Sequence, residues 1–156
     1  MAKKKRSARK RKALRPAKKS SRKKGGAKKP AAASLDALAR KIVRVTQNPN
    51  LAEAEILALY HQDCTSQEGT GNVDRGHSGL QEKNKRWAQM QSGTTWKATN
   101  VWVGPKTICI EWDATVNTRD GRVVKLHEIA VHEIKTGKIQ DERFYYNPMA
   151  LAPPTA

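Results

Sequence analysis

The order of apolar and polar positions predicts helices in the first half of the chain and strands in the second. Over residues 35–46 apolar side chains recur every three or four positions, which predicts a helix with Ser34 as its N-cap. The same spacing predicts helices over residues 51–61 and 80–91, with a turn into a short strand at 62–68 between them. Each helix is expected to turn an apolar face towards a sheet.

From Thr94 onwards the period changes to two, which is typical of strands. Strands are predicted over residues 95–103, 107–117, 123–134 and 139–146, and the loop Lys135-Thr136-Gly137-Lys138 is predicted to close a hairpin between the last two. Helices followed by long strands with short connections indicate an α+β fold. We expect a curved antiparallel sheet covered by three N-terminal helices, which together leave a conical cavity.

The last two predicted strands carry polar side chains on one face. Residues two apart on a strand share a face, so Glu128, Ala130 and His132 are expected to lie opposite Ile129 and Val131. We interpret the first set as the wall of a pocket and the second as a packed or dimer face. On the next strand the pocket face is predicted to hold Glu142, Phe144 and Tyr146.

Charge separates the first 33 residues from the rest of the chain, and three parts are predicted. Residues 1–33 hold 16 of the 31 Lys and Arg and no acid, whereas the remainder holds 15 bases against 14 acids. A segment so rich in like charge and so poor in apolar side chains cannot offset the entropy lost on ordering. We therefore predict a disordered polybasic tail at 1–33, one folded domain at 34–148 and a flexible C-terminal end at 149–156.

The tail is predicted to bind nucleic acid non-specifically, because a run of cations releases counterions from a phosphate backbone. It has no aromatic residue for base stacking, so sequence-specific binding is not expected. Its composition resembles the Lys/Ala-rich tails of linker-histone-like bacterial proteins. The alternative is a tail that serves only solubility or targeting. The cations expected to contact nucleic acid are Lys3, Lys4, Lys5, Arg6, Arg9, Lys10, Arg11, Lys12, Lys18, Lys19, Arg22, Lys23 and Lys24.

Several other classes of site have little support in the sequence. Cys64 and Cys109 have no metal-ligand spacing, and no phosphate-binding glycine loop is present, so we expect neither a metal nor a cofactor. No apolar run reaches the roughly 18 residues of a membrane-spanning helix, so we expect no membrane partner. The expected location is cytoplasmic, with nucleoid association if the tail binds DNA.

Three segments resemble a known family. They are residues 59–64, 75–80 and 128–146, and the last contains the Gly-Lys-Ile turn and the Glu-Arg-Phe-Tyr-Tyr ending. Together they resemble a SnoaL-like domain of the nuclear transport factor 2-like superfamily, which includes ketosteroid isomerase. The resemblance covers residues 34–148 and implies a cone whose mouth binds a small apolar molecule, commonly in a homodimer formed through the outer sheet face.

The resemblance also implies roles for two carboxyl groups. Ketosteroid isomerase uses one carboxylate as base, and a Tyr with a protonated Asp as oxyanion hole. Glu68 matches the position of the base, and Glu128 lies nearest to that of the protonated acid. The Tyr of the first helix has no counterpart, since residues 35–46 contain no aromatic. If the protein is an enzyme, the resemblance implies a proton-transfer isomerase, cyclase or hydratase without a cofactor.

The candidate site residues fall into two groups, and Lys83 has one alternative role. The candidate catalytic residues are Glu68, Asp113, Glu128 and His132. The candidate ligand-binding residues are Tyr60, Lys83, Trp87, Glu142 and Tyr146. The alternative is that Lys83 forms a structural ion pair with Asp113 or Glu128 and that the other acids lie in solvent.

Overall fold

The computed structural model of the protein describes residues 32–152. The candidate nucleic-acid contacts and residues 1–31 of the predicted tail therefore lie outside the described residues, as do residues 153–156. Ala32 and Ala33, which were predicted to belong to the tail, are the first residues of the first helix, so this helix begins before the predicted N-cap Ser34. The described chain begins with two helices, α1 (Ala32–Thr46) and α2 (Glu53–Leu57), followed by strands β1 (Tyr60–Gln67) and β2 (Val73–Arg75). Helix α3 (Gly76–Met90) then leads into the long strands β3 (Gln91–Val103), β4 (Thr107–Thr118), β5 (Val123–Lys135) and β6 (Lys138–Tyr145).

The six strands form one mixed sheet in the order β2-β1-β6-β5-β4-β3. The long strands pair antiparallel as the two-residue period predicts, but β1 runs parallel to β6. The prediction of a purely antiparallel sheet is thus wrong at one pairing. The period along β1 cannot reveal this, because the direction of a pair depends on which distant strand becomes the neighbour.

The prediction of three N-terminal helices also needs correction. Only α1 and α2 precede the sheet. Helix α3 follows β2, and the apolar pattern did not predict this strand. Helix α2 has five residues instead of the predicted eleven, and the chain is already extended at Tyr60, where β1 meets Ile139 of β6. Pairing with the sheet here overrides a local helical pattern.

The core lies between α1 and the inner face of the sheet. Along β4 every second residue is buried from Ile108 to Thr118, as expected for a strand with one packed face. The α1 residues Ala39, Ile42 and Val45 pack against this face. Sheet and helix therefore share one apolar layer, which includes Ile108, Ile110, Trp112, Ala130 and Ile139.

A tight turn joins β5 to β6. Thr136 and Gly137 both have positive φ, at 47° and 80°, which matches the two-residue hairpin turn predicted here. A β-branched residue seldom adopts this conformation. The Thr136 hydroxyl lies 2.9 Å from Nε2 of His61, so the turn also contacts the beginning of β1.

The chain after β6 packs back onto the sheet. Pro148–Ala150 form one turn of 3-10 helix, and Leu151, like Trp87 and Tyr146, packs against the buried side chains of Ala114, Val116 and Leu126. The Arg122 guanidinium donates a hydrogen bond of 2.9 Å to the carbonyl of Ala152. Packed structure thus extends four residues beyond the domain boundary predicted at residue 148.

Candidate functional site

A buried carboxylate on β6 is the centre of a polar group of side chains. Glu142 is 2% exposed, and its carboxylate accepts hydrogen bonds from the Tyr60 hydroxyl at 2.7 Å and the Ser66 hydroxyl at 2.6 Å. The Lys83 ammonium lies 3.5 Å from the same carboxylate. We call the residues around it the buried cluster: Tyr60, Ser66, Glu68, Lys83, Glu128, His132, Glu142 and Tyr146.

Lys83 connects α3 to the sheet. Its ammonium lies 2.7 Å from Oε1 of Glu68 and donates a hydrogen bond of 2.8 Å to the Ser66 hydroxyl. It also sits 3.8 Å above the centre of the Phe144 ring, a cation–π contact. With partners on several sides, the long side chain is held in one position. The predicted alternative pairs, Lys83–Asp113 and Lys83–Glu128, are not the ones formed.

These partners keep Glu142 ionised. Burial alone would raise the pKa of Glu142, but the charge of Lys83, the nearby His132 imidazole and the Ser66 hydrogen bond outweigh it and lower the pKa to about 2. Burial raises the pKa of Tyr60 well above its ordinary value, and the charge of Glu142 raises it further. Tyr60 therefore remains a hydroxyl that donates its proton to the Glu142 carboxylate.

Glu128 has the opposite environment. It is 7% exposed, and its carboxyl group forms no ion pair or hydrogen bond with another described residue. Burial raises the pKa of Glu128 to about 8, the charge of Glu68 raises it further, and Lys83 only partly opposes this. At neutral pH this group is mainly a protonated acid that can donate a hydrogen bond.

Glu68 lies where the cluster meets solvent. It directly follows β1, pairs with Lys83 and accepts a hydrogen bond of 3.0 Å from the Tyr146 hydroxyl. Burial raises the pKa of Tyr146, and the charge of Glu68 raises it further. Gly69 permits this arrangement, because a Cβ there would lie 3.2 Å from the Tyr146 ring.

His132 is buried without a hydrogen-bond partner. It is 3% exposed, and its Nδ1 lies 3.4 Å from Oε2 of Glu142 in an orientation that makes no hydrogen bond. Neither ring nitrogen is satisfied by another described residue. A buried polar group without a partner is costly, so such a group in a native protein calls for an explanation.

Two of the predicted site residues lie away from the cluster or serve packing. Asp113 is on the outer face of β4, where its carboxylate lies 2.6 Å from Nδ1 of the exposed His127. Its neighbour Trp112 takes the inner face, so strand parity directs Asp113 outwards. Trp87 packs 6.3 Å from Trp96 and lines the core beside Tyr146.

A family model for the SnoaL-like domain matches residues 39–142. The chain belongs to the SnoaL-like domain family. No curated protein matches the sequence well enough to count as a relative. The family assignment agrees with the α+β fold of this SnoaL-like domain, which has three helices and one six-stranded mixed sheet among the described residues.

Several solved structures share this fold. An NTF2-like protein from Burkholderia pseudomallei is 12% identical, with a TM-score of 0.68 over 74% of this chain and 92% of its own. A Mesorhizobium loti protein labelled a SnoaL-like polyketide cyclase is 22% identical, with a TM-score of 0.59 over 71% and 97%. A ketosteroid isomerase-like protein from Catenulispora acidiphila, in complex with trimethylamine, is 12% identical, with a TM-score of 0.65 over 73% and 88%. At these identities the likeness shows the fold alone.

One member of the SnoaL-like site, Ser66, was not predicted from the sequence; it links Lys83 to Glu142. Phe144 was predicted on the pocket face, but its contact with the Lys83 ammonium was not. Parity along β1 holds a signal for Ser66, since it lies two residues before Glu68. The partner of Phe144 could not be inferred, because Lys83 reaches it from a helix far away in the sequence.

The described part of the SnoaL-like domain also sets limits on other sites. None of its helices is long and apolar enough to span a bilayer. Within residues 32–152 no three His, Cys, Asp or Glu side chains are placed to hold a metal ion. Clefts of about 730 and 420 Å³ lie along α1, and none of their lining residues belongs to the buried cluster.

Proposed function

We propose that this domain binds a small apolar molecule with a hydrogen-bond acceptor and catalyses a proton transfer on it. The reaction class is an isomerase, cyclase or hydratase that works without a cofactor. The observation that carries the proposal is the contrast between Glu128, protonated at neutral pH with its carboxyl group unpaired, and Glu68, paired with the Lys83 ammonium. A buried carboxyl group whose surroundings raise its pKa, close to an ion-paired carboxylate, is typical of an acid–base site.

The two groups suit different roles. A protonated Glu128 can donate a hydrogen bond to a carbonyl or hydroxyl oxygen of the ligand and stabilise negative charge that develops there. Glu68 is the partly exposed carboxylate that can accept a proton. His132 belongs to the same buried cluster, and it is a candidate to contact the ligand through a free ring nitrogen.

The remaining cluster residues position these groups. Glu142 and Ser66 hold Lys83, and Lys83 holds Glu68. Tyr60 and Tyr146 each donate a hydrogen bond to a carboxylate and would border the ligand. The Catenulispora acidiphila protein holds trimethylamine in a domain of this shape, which supports a small-molecule site.

Binding as a function of pH tests this proposal. A panel of carbonyl-containing polycyclic compounds is titrated against the protein while the emission of Trp87 and its aromatic neighbours is followed. Below about pH 8 Glu128 is protonated and donates its hydrogen bond, and above that pH the donor is lost. Binding should therefore weaken as pH rises through about 8. The variant Glu128→Gln, which keeps a neutral donor, should bind without this pH dependence.

Two outcomes would contradict the proposal. One is an affinity that does not change between pH 7 and pH 9. The other is the same pH dependence in the native chain and in Glu128→Gln, which would assign the titration to another group. Glu133→Gln, on the exposed outer face, is the matched control and should behave like the native chain.

We also propose that the polybasic tail binds nucleic acid without sequence specificity. Sixteen cations with no acid in residues 1–33 support this. Full-length protein in which the tail Lys and Arg are replaced by Gln should lose affinity for duplex DNA by more than tenfold near physiological salt. If native and replaced chains bind equally, the tail serves solubility or targeting instead.

A homodimer through the outer sheet face is the third part of the proposal. The side chains of Trp102, Ile129 and Tyr145 are exposed on the sheet strands β3, β5 and β6. Large apolar side chains in this number are typical of a protein–protein interface.

A further inference from the structure

Helix α1 carries a group of uncompensated cations. Arg40, Lys41 and Arg44 are exposed, and none of them forms an ion pair with another described residue. Five of the other twelve Lys and Arg of residues 34–156 pair with a carboxylate: Lys83, Lys85, Arg86, Arg122 and Arg143. We call the three α1 residues the α1 stripe. Its charge is available to a partner.

The α1 stripe faces two clefts. Arg40 and Arg44, one turn apart, line the cleft of about 730 Å³ between α1 and the end of β3. Lys41 and Arg44 line the cleft of about 420 Å³ on the other side of the helix. The amide side chains of Gln47 and Asn48 extend this polar surface beyond the helix. One acid lines each cleft, Asp36 in the first and Glu55 in the second.

Helix α1 has a net charge of +2, whereas the rest of residues 34–156 has a net charge of −1. Residues 34–156 have a net charge of only +1, yet α1 holds three cations against one acid. The tail joins the chain at the same place. Its last cation is Lys29, and α1 begins at Ala32. Arg40 follows eight residues later, about 12 Å along the helix axis. In the sequence, the cations of the tail therefore end shortly before the α1 stripe begins.

We infer that the α1 stripe is the folded part of a nucleic-acid-binding surface and contacts the phosphate backbone together with the tail. The inference rests on the proposed binding of nucleic acid by the tail. Arg40 and Arg44 lie about 6 Å apart along the axis, close to the axial rise of two phosphates on one strand. Guanidinium groups bind phosphate oxygens in pairs of hydrogen bonds, and amide side chains can donate to further oxygens. The contacts are to the backbone, so they add affinity and orientation but no base specificity.

The salt dependence of DNA binding tests the inference in the full chain. The stripe variant is Arg40→Ala, Lys41→Ala and Arg44→Ala, in which alanine preserves the helix. The control variant is Arg75→Ala, Lys97→Ala and Lys125→Ala, which removes the same charge from exposed positions on β2, β3 and β5. Each protein is titrated with a labelled duplex of about 30 base pairs, at salt between about 50 and 200 mM.

The stripe variant should bind at least about tenfold more weakly than the native chain at 0.1 M salt. The steepness of log K against log salt should fall by about 2 to 3, because each lost phosphate contact lowers it by about 0.9. The control variant should keep the native slope to within about 0.5. Circular dichroism checks that the helix content of both variants is unchanged.

Other outcomes overturn the inference in distinguishable ways. If the native chain binds and the stripe variant keeps its slope, the inference is wrong and the tail proposal stands. Equal losses in both variants would show an effect of net charge alone, which also overturns it. A native chain that does not bind duplex at the lowest salt overturns both proposals. Stripe-dependent binding of polyglutamate without binding of duplex would identify an acidic protein as the partner and contradict the inference.

Discussion

Glu128 and Glu142 are the same residue type in one interior, but their pKa values move in opposite directions. Lys83, Tyr60 and Ser66 all contact Glu142, which therefore stays ionised. Glu128 receives no such contact, and the charge of Glu68 disfavours its ionisation further. The difference is set by which carboxyl group the Lys83 ammonium reaches, because depth of burial is similar for both.

The substitution Glu128→Gln should make stability less dependent on pH. The unfolded chain loses this proton near the ordinary pKa of 4.5, while the folded chain keeps it up to about pH 8. Stability contributed by this group therefore falls as pH rises through that window. Relative to the native chain, Glu128→Gln should gain about 2–4 kcal/mol in free energy of unfolding between pH 5 and pH 8. Urea unfolding at each pH measures this, and a constant difference would contradict it.

The substitution Glu142→Gln should destabilise the fold at neutral pH. It removes the charge that faces Lys83 and weakens the hydrogen bonds from Tyr60 and Ser66. The expected loss is about 2–4 kcal/mol in free energy of unfolding, since Lys83 then has only Glu68 as a charged partner. The matched control is Glu133→Gln, which breaks an exposed pair with Arg143 and should cost less than about 1 kcal/mol.

The pH dependence of Glu142 has the opposite sign to that of Glu128. Its pKa is lowered to about 2 from an ordinary value of 4.5. The stabilisation it supplies is therefore present above about pH 4.5 and is lost as pH falls towards 2. Equal costs for Glu142→Gln and Glu133→Gln, or a cost that does not shrink in acid, would argue against an anchoring role for Glu142.

Part of the site could be predicted from the sequence, because strand parity is a local property. Parity gave the inner face of β5, with Glu128 and His132, and the burial pattern agrees with it. The same rule puts Trp112 and Asp113 on opposite faces of β4, and Asp113 lies on the outer face although it was predicted as a catalytic residue. The ion pairs of Lys83 could not be derived, since they depend on how α3 lies across the sheet.

At the scale of the elements, the chain after β6 packs onto the sheet. Leu151, Trp87 and Tyr146 pack against the same buried side chains, and the Tyr146 hydroxyl donates a hydrogen bond to Glu68. The segment therefore connects the C-terminal turn to the candidate site through one tyrosine. Its only tie to the β4–β5 turn among the side-chain hydrogen bonds of residues 32–152 is the bond from Arg122 to Ala152.

The substitution Leu151→Ala should loosen this contact. It removes a half-buried side chain and should cost about 1–2 kcal/mol in free energy of unfolding. The emission of Trp87 should shift to longer wavelength, because its environment becomes wetter. The control is Met149→Ala in the same turn, which is exposed and should change stability by less than about 0.5 kcal/mol. Identical effects of the two substitutions would contradict the packing role of Leu151.

The elements themselves were predictable to different degrees. The long strands β3 to β6 follow the two-residue period closely, because each has one face in the core. The parallel pairing of β1 with β6 and the three-residue strand β2 were not predicted, since neither leaves a period long enough to recognise. Helix α2 is shorter than its apolar pattern suggests, because Leu59 and Tyr60 already pair with the sheet.

At the scale of the whole molecule, the outer sheet face is where two copies are proposed to meet. The substitution Ile129→Lys places a charge among the exposed apolar side chains and should dissociate a homodimer. Sedimentation equilibrium should show twice the chain mass of 17.4 kDa for the native protein and a single chain for the variant. The control is Val73→Lys on β2 at the far edge of the sheet. A native chain that sediments as a monomer would contradict this proposal.

Glu128 is the carboxyl group of the site that is proposed to be a protonated acid at neutral pH. Its titration can be observed directly. Protein labelled with ¹³C at the glutamate side-chain carboxyl carbon is followed by NMR from acid to alkaline pH, and Glu128→Gln identifies the Glu128 signal by its absence. The Glu128 signal should titrate with a midpoint near pH 8. A Glu128 signal that titrates near the ordinary value of 4.5 would contradict it.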